Sequence, residues 1–236
     1  MGSLRKVAVI TGASQGIGAA LVDAYRDRHY QVVANALAMP HSDDPDILTV
    51  SGDVTDRTTA EHIIGRCLSH FGRVDTLINN AGIFIGKPFL EYTMADYAAM
   101  VAVNITGFFH LTQLAIAEMV RQRSGHVVQI TTSLVDHPLS SSPAALASLT
   151  KGSLNAVTKS LAIEYAQHGV RVNAVAPGIV KTPMHSPETY GQLGALHPMG
   201  RMGEISDITD AVLYLETAAF VTGIILPVDG GQSAGH

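Results

Sequence analysis

The chain contains one cysteine, Cys67, so it can form no internal disulfide and offers no cysteine-based metal site, a usage that suits a reducing compartment. Cys67 itself reads as a core thiol. Charge is also scarce: 15% of residues are charged, the formal net charge is -5 and the pI is near 6.1. Without clustered Lys and Arg there is no basic field for nucleic acid or an anionic membrane. The 11 histidines include no H-x-x-x-H spacing, so no metal is expected. The segment MGSLRKVAVI lacks the apolar stretch of a signal peptide, and no run approaches the roughly 20 apolar residues of a membrane span. Repeats, linkers and low-complexity stretches are absent too. A cytoplasmic protein with no nucleic-acid or membrane partner is the expectation.

What is present is apolar content, 47% over 236 residues, enough for one sizeable core and a single domain spanning 1–236. Short β-branched runs punctuated by Gly, Asp or Asn read as strands at Val7 to Ile10, Gln31 to Asn35, Thr76 to Asn79, His126 to Ile130, Arg171 to Val175 and Ile224 to Val228. Helical patterns alternate with them near Gly16 to Arg28, Thr58 to Phe71, Met94 to Gln122, Pro143 to His168 and Ile205 to Thr217. Strand-helix alternation predicts an α/β fold, a parallel sheet covered by helices on both faces. In such sheets ligands sit beyond the carboxyl ends of the strands, where the strand order reverses.

The first strand runs directly into Thr11-Gly12-Ala13-Ser14-Gln15-Gly16-Ile17-Gly18 and then a helix. Glycines there allow a tight turn, close approach of backbone to a pyrophosphate, and the phosphate charge at a helix N-terminus. Further motifs follow in order: Asp53-Val54 after the third strand, Asn79-Asn80-Ala81-Gly82 after the fourth, Asn104 in the long helix, Pro177-Gly178 with Thr182, and Val228-Asp229-Gly230-Gly231. With these motifs the chain resembles the short-chain dehydrogenase/reductase family, classical type, along essentially its whole length. The resemblance implies a Rossmann-type, doubly wound sheet and an oxidoreductase that exchanges hydride between a nicotinamide dinucleotide and a small alcohol or carbonyl. It also implies roles. Gly12, Ser14, Gln15, Gly16, Ile17 and Gly18 would hold the pyrophosphate side, Asp53 and Val54 the adenine, and Asn80, Ala81 and Gly82 the adenosine and nicotinamide side. Pro177, Gly178, Ile179 and Thr182 would meet the carboxamide, with a substrate lid around 183–200. Asn79 and Asp229 read as turn-fixing residues.

Cofactor choice between NAD and NADP is decided at the end of the second strand, where the chain carries neither an acidic nor a basic signature: the relevant places are Gln15, Ala36 and Leu37. The acidic stretch Met39 to Asp46 would disfavour an extra phosphate, so the reading leans to NAD.

The catalytic pattern departs from the family. Lys151 matches the family's lysine, Asn104 its asparagine, and either Ser133 or, as second choice, Thr132 its serine; but four residues before Lys151, where the resemblance calls for a tyrosine, stands Ala147. A lysine one helical turn from a phenol would lower its pKa, and a methyl cannot carry a proton. Ser148, His137, His185, Tyr190 or a water held by Ser133 and Lys151 could replace it. Alternatively the protein binds cofactor without turnover, as a regulator or partner subunit, or the alanine was introduced deliberately into an otherwise active enzyme; the unusual neighbours Pro143 and Leu146 favour natural divergence. Ala147→Tyr would restore the phenol provided that the loop from Leu134 to Pro143 leaves room for the ring. The apolar surface of the two long helices, and the family's habit of pairing them about two-fold axes, point to a homotetramer or homodimer.

Overall fold

The computed structural model describes residues 5–235; residues 1–4 and 236, which belong to the segments read above, lie outside the described part. Seven strands form one parallel sheet: β1 (Val7–Thr11), β2 (Gln31–Ala36), β3 (Ile47–Ser51), β4 (Thr76–Asn79), β5 (Gly125–Ile130), β6 (Val170–Pro177) and β7 (Ile225–Val228), in the order β3-β2-β1-β4-β5-β6-β7. The order runs outward in opposite directions from β1 and β4, which makes their carboxyl ends the switch point. This is the doubly wound Rossmann-type fold.

The helices are α1 (Gly16–Arg26), α2 (Arg57–Phe71), α3 (Met94–Val101), α4 (Phe108–Gln122), α5 (Ala145–Tyr165), α6 (Tyr190–Gly194) and α7 (Ile205–Thr217). Alternation along each strand divides the core. Val7, Val9, Val33, Leu77, Val127 and Val172 pack with α2, α4 and α5 on one face. Ala8, Ile10, Val32, Ile78, Val128 and Val175 pack with α1 and α7 on the other. Because both faces are covered, the strands read as continuous apolar runs rather than as polar-apolar alternation.

Three differences from the sequence reading have physical causes. The edge strand β3 was absent from the six runs, because its Ile-Leu-Thr-Val-Ser is only half buried and pairs on one side alone. Met94 to Gln122 is one continuous helical rod, but a π-helical segment, Ala102–Gly107, interrupts it at Asn104. The same rod is apolar and long enough by composition to cross a membrane, with mean hydropathy 1.4 over its best window. Met100, Leu111, Ala115 and Met119 of this rod are buried, so it serves as a core helix of this fold.

Candidate active site

At the carboxyl ends of β1 and β4 the chain builds a cradle from hydrogen bonds that the sequence motifs supply. Thr11 Oγ1 accepts the backbone N–H of Asn80 (3.1 Å) and of Ala81 (3.0 Å) and donates to Ile78 O (3.3 Å). Asn80 Nδ2 returns the brace, donating to Thr11 O (2.9 Å) and Gly12 O (3.1 Å). Two strand ends are thus locked side by side, and the loop leaves them through Gly12 at φ +62°. Gly16 has φ +57°, and a Cβ there would meet nothing nearer than Thr182 at 3.7 Å. The missing side chain leaves room at the N-terminus of α1, where the cap residue Gln15 makes no side-chain hydrogen bond to the helix. Free amides, a positive dipole end and an empty Cβ position fit the pyrophosphate of a dinucleotide.

A cleft of about 550 Å³ continues from this cradle in both directions. It brings together Gly12, Ser14, Gln15, Gly16 and Ile17 with Asp53 and Val54, and these with Asn80, Ala81, Gly82, Lys151 and Thr182. Gly18 packs against the turn, where a Cβ would meet Gly12 O at 2.2 Å, and Pro177, Gly178 and Ile179 are not among the residues that line the cleft.

On the adenosine side the wall is Asn35, Ala36, Leu37 and Asp53. Asn35 Nδ2 donates to Val50 O (3.0 Å) and Gly52 O (3.2 Å), tying the ends of β2 and β3 together, while its buried Oδ1 has no protein partner. One oxygen of Asp53 accepts the N–H of Thr55 at 2.9 Å, so this residue fixes its own turn as well as lining the cleft. The acidic stretch after β2 is not a neighbour of the ribose. Asp44 and Asp46 sit at the amino end of β3, the opposite end of the strand from the cleft, where they pair with Arg26 at 2.9 and 3.0 Å, and Asp46 also pairs with Arg5 at 2.5 Å. These bonds hold both carboxyls below the usual carboxylate range, led by the Asp46 backbone N–H for Asp44 and by Arg5 for Asp46. The electrostatic argument from that stretch therefore falls away, and Lys151 is the one Lys or Arg among the described residues of the cleft's wall.

The other end of the cleft is polar backbone and one amine. Lys151 Nζ donates to Ile130 O (3.1 Å) and Thr131 O (3.3 Å), meets no carboxylate, and is pushed down to about 8 by burial. A Cβ on Gly82 would lie 3.3 Å from Asn104 Oδ1 and 3.5 Å from Lys151 Nζ, so glycine at that position keeps the amine open to the cleft. Asn104 is buried and fully engaged: Oδ1 accepts Ile83 N–H (2.9 Å), and Nδ2 donates to Ile83 O (3.1 Å) and Thr150 Oγ1 (3.1 Å). Asn104 lies in the π-helical segment and bonds to Ile83 in the loop after β4; such bulges often occur at functional sites.

Ala147 is fully buried, packed in a cluster with Met100, Leu134, Ala144 and Leu146, against which Ile83 and Leu139 also lie. Apolar side chains occupy its surroundings, so the loop leaves little room for a ring. Ser148 Oγ donates to Leu134 O at 3.1 Å. Ser133 is buried, its hydroxyl donating to Gln232 Oε1 at 3.3 Å, and Gln232 Nε2 donates to His137 O at 3.3 Å. Thr132 is half-buried, and its Oγ1 accepts Leu134 N–H at 3.3 Å.

Beyond Thr182 the lid carries His185, whose imidazole burial pushes down, and Tyr190, whose ring lies 5.9 Å from Lys181 Nζ. His197, within the same stretch, is buried. It is 3% exposed, its Nε2 accepts Ile179 N–H (3.0 Å), and Nδ1 therefore carries the proton and donates to Leu193 O (3.1 Å). It clasps α6 to the Pro177-Gly178-Ile179 segment. Sequence reasoning missed Gln232 and Asn35, since neither belongs to a motif, and polar residues next to glycine-rich turns carry no distinguishing signal.

The family described as short chain dehydrogenase matches residues 6–192. A 3-oxoacyl-(acyl-carrier-protein) reductase of Thermotoga maritima is 31% identical, over 96% of this chain and 97% of its own. Among solved structures, ElxO with NADP bound superimposes with a TM-score of 0.92 at 30% identity, covering 98% of this chain and 100% of that one. The 3-ketoacyl-(acyl-carrier-protein) reductase from Brucella melitensis complexed with NADH gives 0.88 at 29% identity, with the same coverage of 98% of this chain and 100% of that one.

Proposed function

The chain belongs to the short-chain dehydrogenase/reductase family and is an oxidoreductase of it, and from that premise we propose that it exchanges hydride between NAD(H) and a small alcohol or carbonyl through a proton relay that uses no phenol. The observation that carries this reading is Lys151 Nζ, anchored only by two backbone carbonyls beside the cleft, one helical turn from the Ala147 methyl. The cofactor, when bound, accepts or supplies the hydride. In the oxidative direction the alcohol loses that hydride with its electron pair from carbon, and its hydroxyl proton passes to the Lys151 amine, directly or across a water. The alcohol becomes a carbonyl, and the amine an ammonium. In reduction the ammonium returns the proton. The amine is suited to this because burial holds it near 8, close to working pH. Of the alternatives, Ser148 is tied to Leu134 O and Tyr190 faces Lys181.

The preference for NAD rests on the lack, among the described residues of the cleft's wall, of a Lys or Arg beside Ala36 and Leu37 to receive a 2′-phosphate. Exposed Phe109, Leu149 and Ile163 on α4 and α5, and Tyr214, Phe220 and Ile224 near α7 and β7, supply two apolar faces suited to a homotetramer. A cytoplasmic location remains part of the reading through the single buried thiol Cys67.

The fully buried, apolar setting of Ala147 favours a second reading, a cofactor-binding protein without turnover. Cofactor oxidation against a broad panel of aldehydes and ketones, compared between the native chain and Lys151→Met, decides. Turnover that Lys151→Met abolishes supports the enzyme. Tight cofactor binding with no turnover in either supports the regulator.

A further inference from the structure

Three segments leave the carboxyl ends of β4, β5 and β6 beside the Lys151 end of the cleft: 83–100, 131–147 and 178–205. Their Lys and Arg residues are Lys87, Lys181 and Arg201. Each is held by a carboxylate: Lys87 by Asp96 at 2.8 Å, Arg201 by Asp207 at 2.7 Å, and Lys181 by Glu204. Against these cations the same segments carry Glu91, Asp96, Asp136, Glu188 and Glu204, so they present no positive field to draw in a carboxylate or a phosphate. Within the cleft, Lys151 is pinned to Ile130 O and Thr131 O, and Asp53 lies at the adenosine end. A cationic substrate would meet the Lys151 ammonium, and an anionic one would occupy the amine that the substrate proton needs.

What that end does offer is hydrocarbon. Ile83 lines the cleft on the β4 side, and Pro183 and Met184 line it on the β6 side. Phe84 continues the first wall. A Cβ on Gly86 would lie 3.0 Å from the Phe84 ring and 3.4 Å from Pro143 O, so the missing side chain lets the ring stand where the segments after β4 and β5 meet. Phe84 is 39% and Met184 62% exposed, apolar surface left wet beside a cleft. The hydroxyls of a sugar would find no side-chain partner on Ile83, Phe84, Pro183 or Met184, and stripping their water there would weaken binding. Covering the same side chains with hydrocarbon is favourable. We propose that the substrate is an uncharged, predominantly hydrocarbon alcohol or ketone, its body seated against Ile83, Phe84, Pro183 and Met184 and its oxygen turned towards Lys151. The proposal rests on the hydride-exchange reading for which atom reacts, and its binding test needs no turnover.

The chain is saturated with oxidised NAD or NADP, whichever binds tighter, and titrated calorimetrically with three ring ketones: 4-tert-butylcyclohexanone, 4-oxocyclohexanecarboxylate and the polyhydroxylated scyllo-inosose. Cofactor and ketone are then both oxidised, so binding is read with no hydride to move. The tert-butyl ketone is expected to bind at least about 10-fold tighter than either of the others. Phe84→Ala and Met184→Ala are each expected to weaken it by about 3- to 30-fold, the worth of the apolar area such a side chain shields, with thermal melts showing that both variants fold. Met184→Lys, at a largely exposed position, is expected to raise affinity for the carboxylate at least about threefold. Equal or tighter binding of the carboxylate or the inosose by the native chain overturns the proposal. So does failure of the tert-butyl ketone to bind, or its unchanged affinity in both folded alanine variants. A chain that binds the tert-butyl ketone but never reduces it with NADH or NADPH loses the hydride reading and keeps this one. A chain that reduces the carboxylate with a higher kcat/KM than the tert-butyl ketone loses this one and keeps the hydride reading.

Discussion

A Cβ added to Gly18 would lie 2.2 Å from the carbonyl oxygen of Gly12, whereas one added to Gly16 would find only Thr182 at 3.7 Å. The two glycines of one loop therefore have different jobs, one packing the turn and the other leaving the cradle open. Gly18→Ala is expected to push the loop apart and lower stability by about 1–3 kcal/mol, the usual cost of overpacking. Gly16→Val pays only for its left-handed backbone, about 1–3 kcal/mol, and stays folded while its side chain fills the pyrophosphate space. Circular dichroism melts paired with calorimetric titration of NADH check both; full-affinity binding by Gly16→Val would remove the cradle assignment.

Burial holds Lys151 at about 8, below the roughly 10.4 of an unfolded lysine, so the unfolded chain binds more protons between those values. The cost of burying the ammonium is present below about pH 8 and fades as pH rises towards about 10.4, so stability should climb across that window and flatten in Lys151→Met. If the amine takes the substrate proton, alcohol oxidation should rise with pH through about 8 and carbonyl reduction should fall. An inflection near pH 8 that survives in Lys151→Met would assign the titration elsewhere.

Ala147→Tyr introduces a ring where Met100, Leu134 and Leu146 already close around a fully buried methyl. Overpacking of about 1–3 kcal/mol is expected, a fall of several degrees in melting temperature for a chain of this size, with no gain in turnover. A stable variant with raised carbonyl reduction would show instead that the cluster opens and that the phenol alone was missing.

Glu216, near the end of α7, gathers four donors at the amino ends of the strands, away from the cleft: Tyr25 OH (3.1 Å), Tyr30 OH (2.8 Å), Thr76 Oγ1 (3.0 Å) and His126 Nδ1 (2.9 Å). Burial works to raise its pKa, but His126, Tyr30 and Thr76 together hold it at about 2. A carboxyl depressed in the folded state contributes stability above its unfolded value of about 4.3, and loses it as pH falls towards 2. Glu216→Ala is expected to cost about 3–5 kcal/mol at neutral pH and to remove part of the acid sensitivity, with cofactor affinity unchanged. Denaturant melts at pH 7 and pH 4 measure this; equal stability of variant and native chain at pH 7 would refute it.

The carboxyl-end location of the cleft and the place of Gly12, Gly16 and Asn80 in its wall were legible in the sequence because local chemistry dictates them. A glycine-rich turn between an apolar run and a helix has few uses, and alternation of buried strands with helices forces a parallel sheet. Lys151 and the missing phenol at Ala147 were legible too, since helical spacing alone puts them on one face. Tertiary structure decided what spacing cannot carry. That Asp44 and Asp46 pair with Arg26 at the amino ends of the strands, that Gln232 reaches Ser133 across 99 positions, and that His197 is a buried clasp all depend on which segments the fold brings together. The direction of a hydroxyl proton depends on partners distant in the chain, and so only the packed molecule shows that Ser133 Oγ donates to Gln232.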